Sequence, residues 1–172
     1  KHSSSKSGGG INLSELKKQI KEKPNDADLL HTYGVALIQA NNKIDEGIKY
    51  IKSALKIKPD SAEIINDLGL AYFAQQNFGK AVETYEKGIK HDDKHINLRV
   101  NLGNALRFQN ETAKALPHYE TALALEANNT SALLNYANAL LDLGRVADAR
   151  KQYDKVLLLE PKNSMALLKN GE

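Results

Sequence analysis

The chain has 172 residues, of which 41% are hydrophobic and 26% are charged, enough for a buried core of one or two ordinary domains. It contains no cysteine, which excludes a disulfide scaffold, a thiolate metal site and a cysteine nucleophile. The 24 basic and 21 acidic residues are interleaved and leave a net charge of +3, so the sequence predicts neither a nucleic-acid partner nor a membrane partner.

The chain begins with a polar segment and one short helix. Residues 1–10 (KHSSSKSGGG) read as a tag or linker remnant that we expect to be disordered. Residues 11–26 hold a predicted packing helix, NLSELKKQIKEK, which ends before Pro24. Its lysines are interrupted by Glu15 and Glu22, a pattern typical of a solvated helix face. We expect the other face to cover the apolar surface of the first repeat.

A six-residue motif recurs along the rest of the chain. DLGLAY, NLGNAL and NYANAL begin at residues 67, 101 and 135, and TYGVAL begins at residue 32. A spacing of about 34 residues held over four copies is typical of stacked repeat proteins. Within a copy, apolar residues recur at helical spacing over 62–74 and again over 79–91, with a short polar turn between. The sequence therefore predicts four helical hairpins, at residues 27–61, 62–95, 96–129 and 130–163.

Small residues recur where the two helices of each hairpin must approach closely. They are Gly34, Gly69, Gly103 and Ala137 in the first helices, and Gly47, Ala81, Ala115 and Ala149 in the second helices. A glycine inside a helix costs about 1 kcal/mol relative to alanine, so its use there indicates a tight backbone contact.

These residues resemble the tetratricopeptide repeat (TPR) family over residues 27–163. The resemblance implies an all-α fold, a right-handed superhelical solenoid of antiparallel helical hairpins whose first helices line a concave groove. The family's tryptophan is replaced in the four repeats by Leu30, Ile65, Arg99 and Leu133. The first hairpin has one extra turn residue around Asn41 and Asn42, and Pro117 lies inside the second helix of the third repeat, where it removes a hydrogen bond.

The stretch HDDKH at 91–95 imitates the HExxH helix of zinc proteases. In the repeat register it aligns with IKPDS at 57–61 and LEANN at 125–129, which are junctions between repeats. His91 then closes one helix and His95 lies beyond it, so the imidazoles do not share the helical face that HExxH requires. We predict no metal site and no cofactor, and the absence of nucleophile or phosphate-loop motifs predicts no catalytic residues and no enzyme.

The resemblance places the ligand site on the first helices. The repeat register gives these candidate peptide-binding residues: Asn66, Asp67, Leu70, Phe73, Asn97, Asn101, Asn104, Arg107, Asn135, Asn138 and Asp142. Val100 and Leu134 are predicted to face the same groove.

Four asparagines stand out because Asn101 is equivalent to Asn135, and Asn104 to Asn138. A carboxamide carries a donor and an acceptor, so it can pair with the N–H and C=O of a passing peptide. This is similar to the asparagine ladder of some TPR superhelices. The alternative is that asparagine is merely tolerated on a wet helix face and is repeated by duplication.

A second binding mode of the family, a basic clamp for acidic C-terminal tails, is disfavoured. The clamp positions hold His31, Val35, Asp67, Asn97 and Asn101 in place of lysines and an arginine. The groove is acidic on balance, which favours a neutral or mildly basic ligand segment.

Residues 164–172 (SMALLKNGE) open a further first helix that we expect to be truncated. We predict a non-catalytic protein–protein interaction module that binds an extended peptide or partner segment in its groove. The alternative is a scaffold that self-associates as a homo-oligomer through the convex face or the C-terminal helix face. The compartment is unknown, with the cytoplasm favoured over others.

Overall fold

The computed structural model describes residues 12–171. In that range the chain forms ten α-helices and no strand, and none of these helices is long and apolar enough to cross a membrane. The helices fall into two compact units, one ending at Pro59 and one beginning at Asp60. The predicted tag at residues 1–10 lies outside the described residues.

Unit 1 contains three helices. They are α1 (Leu13–Glu22), α2 (Ala27–Asn41) and α3 (Ile44–Ile57). Asn12 caps α1, which packs against α2 but buries none of its own residues. The predicted packing helix is therefore present, and it covers α2 with a half-exposed surface.

The hairpin of α2 and α3 closes on two facing glycines. A Cβ atom on Gly34 would lie 2.7 Å from the carbonyl oxygen of Gly47, closer than real Cβ contacts allow. The extra residue predicted for the turn belongs instead to the last turn of α2. Asn42 ends that helix in the left-handed region with φ 52°, and its N–H bonds to the Ile38 carbonyl. An αL asparagine is a common helix terminator because its short side chain tolerates positive φ.

Unit 2 contains seven helices in chain order. They are α4 (Ala62–Ala74), α5 (Phe78–His91), α6 (Ile96–Phe108), α7 (Thr112–Leu125), α8 (Thr130–Asp142), α9 (Val146–Leu159) and α10 (Ser164–Asn170). The pairs α4–α5, α6–α7 and α8–α9 are antiparallel hairpins, and each second helix also packs on the first helix that follows it. The first helices α4, α6 and α8 contact one another in sequence, so they form one layer and the second helices form another.

Repeating side chains start and end these helices. The first helices of unit 2 begin at N-caps spaced 34 residues apart, namely Ser61, His95, Asn129 and Asn163. Each cap accepts a hydrogen bond from a backbone N–H of the first turn, which would otherwise be unsatisfied. The hairpin turns repeat as well, with Gln76, Asn110 and Gly144 at positive φ.

Three tyrosines on the second helices form the centre of unit 2. Tyr85, Tyr119 and Tyr153 are at most 1% exposed and are equivalent in the repeat register. A Cβ on Gly69 would lie 2.2 Å from the Tyr85 ring, and a Cβ on Gly103 would lie 2.6 Å from the Tyr119 ring. The small residues of the first helices therefore make room for the aromatic rings.

Candidate functional site

The predicted groove residues of unit 2 lie on α4, α6 and α8. We use the term first-helix face for the surface of these three helices that carries the predicted peptide-binding residues. Asn97 and Asp142 are exposed, and Asn101, Asn104, Asn135 and Asn138 are half-buried. Val100, predicted to face the groove, is only 5% exposed, because it turns toward the core between neighbouring helices.

Asn66 and Asn101 join α4 to α6. Asn66 is 9% exposed, and its Oδ1 accepts a 2.8 Å hydrogen bond from Nδ2 of Asn101. Burial of a polar side chain is costly unless it is hydrogen-bonded, so this bond supports the packing of the two helices. Asn66 is therefore a packing residue, and we omit it from the set that a ligand would touch.

Asn104 and Asn138 are held by the buried tyrosines of their own hairpins. The hydroxyl of Tyr119 donates a 2.6 Å hydrogen bond to Oδ1 of Asn104, and Tyr153 donates to Oδ1 of Asn138. Each bond uses one of the two lone pairs of the carboxamide oxygen. The second helices thus orient polar groups of the first-helix face.

Asn135 bonds within its own helix. Its Nδ2 donates to the backbone carbonyl of Ser131 at 2.8 Å, one turn earlier. The bond uses one of the two N–H donors of the carboxamide, as the bond to Asn66 does in Asn101.

Arg107 and Asp142 are ion-paired across α6 and α8. Nε and Nη2 of Arg107 lie 2.9 and 2.8 Å from Oδ2 of Asp142, and the arginine side chain is largely buried. Burial raises the pKa of Tyr119, while the Arg107 guanidinium, which hydrogen bonds the hydroxyl, acts in the opposite direction. The ion pair therefore belongs to the same network as Tyr119 and Asn104. Because its two charges cancel, Glu63 and Asp67 supply the acidic character of the face.

The second repeat departs from this pattern at Leu70, which takes the place of Asn104. Leu70 is 42% exposed and supplies no acceptor. The Tyr85 hydroxyl is buried, and no described residue bonds to it. Burial and the Asp67 charge both raise the pKa of this phenol. In unit 2 the tyrosine–asparagine bond is therefore present in the third and fourth repeats and absent from the second.

An aromatic cluster lies beside Leu70 at the carboxyl ends of α4 and α6. The Phe73 ring meets the rings of Phe78 and Phe108 edge-on, with centroids 5.1 and 4.9 Å apart. Phe108 is 58% exposed. Only Phe73 was predicted as a site residue. The candidate chosen at this end of α6 was Arg107, the residue before Phe108, although Phe108 is the register equivalent of the candidate Asp142.

The HDDKH stretch spans two helices. His91 is the last residue of α5, and the side chain of His95 caps α6 by accepting a hydrogen bond from the Leu98 N–H. His91 lies 3.5 Å from Asp60 at the preceding junction. Between residues 12 and 171 no group of three or more histidine, aspartate or glutamate side chains is arranged to hold a metal ion.

Comparison with known families identifies the repeat. Two family models, both described as tetratricopeptide repeat, match residues 60–128 and 106–170. Together they span most of unit 2. No curated protein matches the sequence significantly.

Solved structures share the fold. YrrB, described as a TPR protein with an unusual peptide-binding site, is 22% identical with a TM-score of 0.73, over 93% of this chain and 82% of that chain. The thermophilic TPR protein TTC0263 of Thermus thermophilus is 20% identical with a TM-score of 0.78, over 92% and 87%. The first TPR domain of human RPAP3 is 29% identical with a TM-score of 0.63, over 66% and 89%.

Proposed function

The chain belongs to the tetratricopeptide repeat family, and on that premise we propose that it binds an extended peptide or partner segment on the first-helix face. Repeats of this family are generally non-catalytic protein-interaction modules. The observation that carries the proposal is the pair of half-exposed carboxamides in each of two neighbouring repeats, Asn101 with Asn104 and Asn135 with Asn138. Amide groups suit the N–H and C=O groups of a peptide backbone.

The neighbouring side chains support selectivity. Leu70, Phe73 and Phe108 offer an apolar surface on one side of the asparagines. Exposed aromatic residues are frequent energetic centres of interfaces, because they bury a large area with few rotatable bonds. The acidic residues Glu63 and Asp67 on α4 favour a ligand that is neutral or mildly basic at that end.

The test is a comparison of captured proteins. Wild-type protein and the variant Asn101→Ala/Asn135→Ala would be immobilised, exposed to lysate and compared by mass spectrometry. A matched control, Glu86→Ala/Lys155→Ala, removes two exposed side chains of the second helices α5 and α9. We expect some captured proteins to be lost by the asparagine variant and retained by the control. An unchanged partner set, with both variants folded by circular dichroism, would refute it.

A second candidate is self-association through the C-terminal helix face. Met165, Leu167 and Leu168 of α10 are 48%, 53% and 62% exposed, an unusual concentration of apolar surface on one short helix. The variant Leu167→Lys/Leu168→Glu distinguishes this candidate by light scattering. Self-association expects a mass that rises with concentration in the wild type and remains monomeric in the variant.

A further inference from the structure

A recess lies between the hairpin turns of the third and fourth repeats. It has a volume of about 640 Å³ and is bounded by the carboxyl ends of α6 and α8 and by residues 110–114 at the start of α7. Ligand sites in proteins have volumes of about 300–1,000 Å³, so the recess has room for one large side chain and the backbone beside it. It adjoins the first-helix face, because Arg107 and Asp142 belong to both.

The recess has the same position in the repeat register as the aromatic cluster between the second and third repeats. In the cluster the three ring centroids lie 4.9 to 5.1 Å apart, so the rings pack on one another between the two repeats. None of the described residues that line the recess is aromatic. The equivalent space between the third and fourth repeats is therefore left open. The corresponding residues, each 34 positions later, are Arg107 for Phe73, Thr112 for Phe78 and Asp142 for Phe108.

The charges that line the recess are balanced. Arg107 is bonded to Asp142, and Nζ of Lys114 lies 2.5 Å from Oε2 of Glu111. These two cations and two carboxylates are the charged residues of the lining, so its formal charge is zero. A charged ligand would find no uncompensated partner there, and the side chain of Leu143, which is 41% exposed, favours an uncharged group.

Arg107 supplies a flat surface in this lining. Its Nε and Nη2 lie 2.9 and 2.8 Å from Oδ2 of Asp142. The N–H groups of a guanidinium lie in its plane, so these contacts fix the orientation of the group without using its faces. An arginine face attracts aromatic rings through cation–π interaction and stacking, and tryptophan is the ring that it attracts most strongly.

We infer that the recess accepts one aromatic side chain of a bound partner, stacked on the guanidinium of Arg107 and flanked by Leu143 and Ala113. The ring of the partner takes the place that phenylalanines of the chain itself take between the second and third repeats. This anchor rests on the proposed function, because a bound segment must carry the ring. It names the partner class as a segment with a tryptophan, tyrosine or phenylalanine, and it does not involve the asparagines.

A small aromatic compound tests the recess. N-acetyl-tryptophanamide would be titrated into the intact 15N-labelled protein, with N-acetyl-leucinamide as the apolar compound that cannot stack. We expect saturable NMR shifts of the backbone amides of residues 110–114 and of the Arg107 Nε–H. The leucine compound should bind at least about fivefold more weakly. Equal binding of the two compounds, or a titration that leaves residues 110–114 unmoved, would overturn the inference.

A variant that fills the recess gives a sharper test. Thr112→Phe puts at the first position of α7 the residue that α5 already has there, Phe78, so we expect the variant to fold. Its ring occupies the space, and binding of N-acetyl-tryptophanamide should weaken about tenfold or more. The matched control is Val146→Phe, the same change at the equivalent position of α9, outside the recess. Undiminished binding by Thr112→Phe, with its fold confirmed by circular dichroism, would contradict the proposed anchor.

A second variant removes the flat surface but keeps the charge. Arg107→Lys retains a cation for Asp142, whereas an ammonium group offers no plane on which a ring can stack. The tryptophan compound should bind about threefold to fivefold more weakly, and the leucine compound should be unaffected. An equal loss for both compounds, or no loss for either, would show that the arginine face does not hold the ring.

Selection from a random peptide library tests the partner class. Peptides selected on the intact wild-type protein should be richer in aromatic residues than peptides selected on Thr112→Phe. The control Val146→Phe should give the wild-type composition. Equal aromatic content on wild type and Thr112→Phe would overturn the inference. The proposed function would survive that result if captured partners still depend on Asn101 and Asn135.

Discussion

The guanidinium of Arg107 makes two contacts, at 2.8 and 2.9 Å, with one carboxylate oxygen of Asp142 on the next first helix. The pair joins α6 to α8 beside the asparagines. Its arginine side chain is 17% exposed and its aspartate 46%, so solvent screens the interaction in part.

This ion pair is expected to contribute measurably to stability. A double-mutant cycle with Arg107→Met and Asp142→Asn should give a coupling of about 0.5–1 kcal/mol in urea unfolding, and about half of that in 1 M salt. The control is Glu83 with Lys87 on α5, a pair at 3.8 Å in which both side chains are more than two-thirds exposed. Equal coupling energies in the two cycles would show that burial of Arg107 does not strengthen its ion pair.

Gly69 and Gly79 are expected to respond oppositely to alanine. A Cβ at Gly69 meets the Tyr85 ring at 2.2 Å, whereas a Cβ at Gly79 meets only the amide nitrogen of Gln109 at 3.5 Å. Gly69→Ala should therefore destabilise unit 2 by about 1–3 kcal/mol. Gly79→Ala should stabilise it by up to about 1 kcal/mol through helix propensity. The free energy of unfolding in urea measures both changes, and a stabilising Gly69→Ala would be incompatible with the described packing.

An asparagine introduced at position 70 would test the tyrosine–asparagine bond by creating a new one with Tyr85. Leu70→Asn restores the residue found in the next two repeats and offers an acceptor to the buried Tyr85 hydroxyl. The substitution should cost about 1 kcal/mol less in the wild type than in a Tyr85→Phe background. A double-mutant cycle with no coupling would show that the hydroxyl cannot reach position 70.

Much of the fold could be predicted from the sequence because every repeat carries the same pattern. The periodicity over 62–74 coincides with α4. Gly34 and Gly47 lie at the predicted close backbone contact, whereas Gly69 and Gly103 make room for tyrosine rings instead. The extra residue of the first hairpin was predicted in the turn but lies in the last turn of α2. Periodicity does not distinguish the last turn of a helix from the turn that follows. The family and the helical solenoid class are confirmed by the family models and the related structures.

The internal partners of the site residues could not be predicted in the same way. Asn66 and Asn101 meet because neighbouring first helices are offset by one residue in register, a property of packing geometry. The tyrosine bonds correspond to a constant spacing in the sequence, since each bonded asparagine precedes its tyrosine by 15 residues. That spacing can be interpreted only once the hairpin is known to bring the two helices together. The peptide-binding role of these residues stays a prediction.

His118 should make stability depend on pH. Burial, and secondly the Arg99 guanidinium 3.3 Å from Nδ1, lower the pKa of His118. The unfolded chain then binds a proton more readily than the folded one. Stability is therefore fully present above the ordinary histidine pKa of about 6.5 and is lost as pH falls below it. His118→Gln keeps an acceptor for Arg99 but cannot titrate, so its unfolding free energy should fall less between pH 7 and 5. Identical slopes for the two proteins would contradict the lowered pKa.

The central claim is that ligands bind the first-helix face, and NMR shift mapping tests it most directly. A peptide selected from a random library against the intact protein would be titrated into 15N-labelled protein. We predict that the largest shifts fall on α6 and α8, including the side-chain amides of Asn101, Asn104, Asn135 and Asn138. Shifts concentrated on the second helices α5, α7 and α9, with these four amides unmoved, would contradict it.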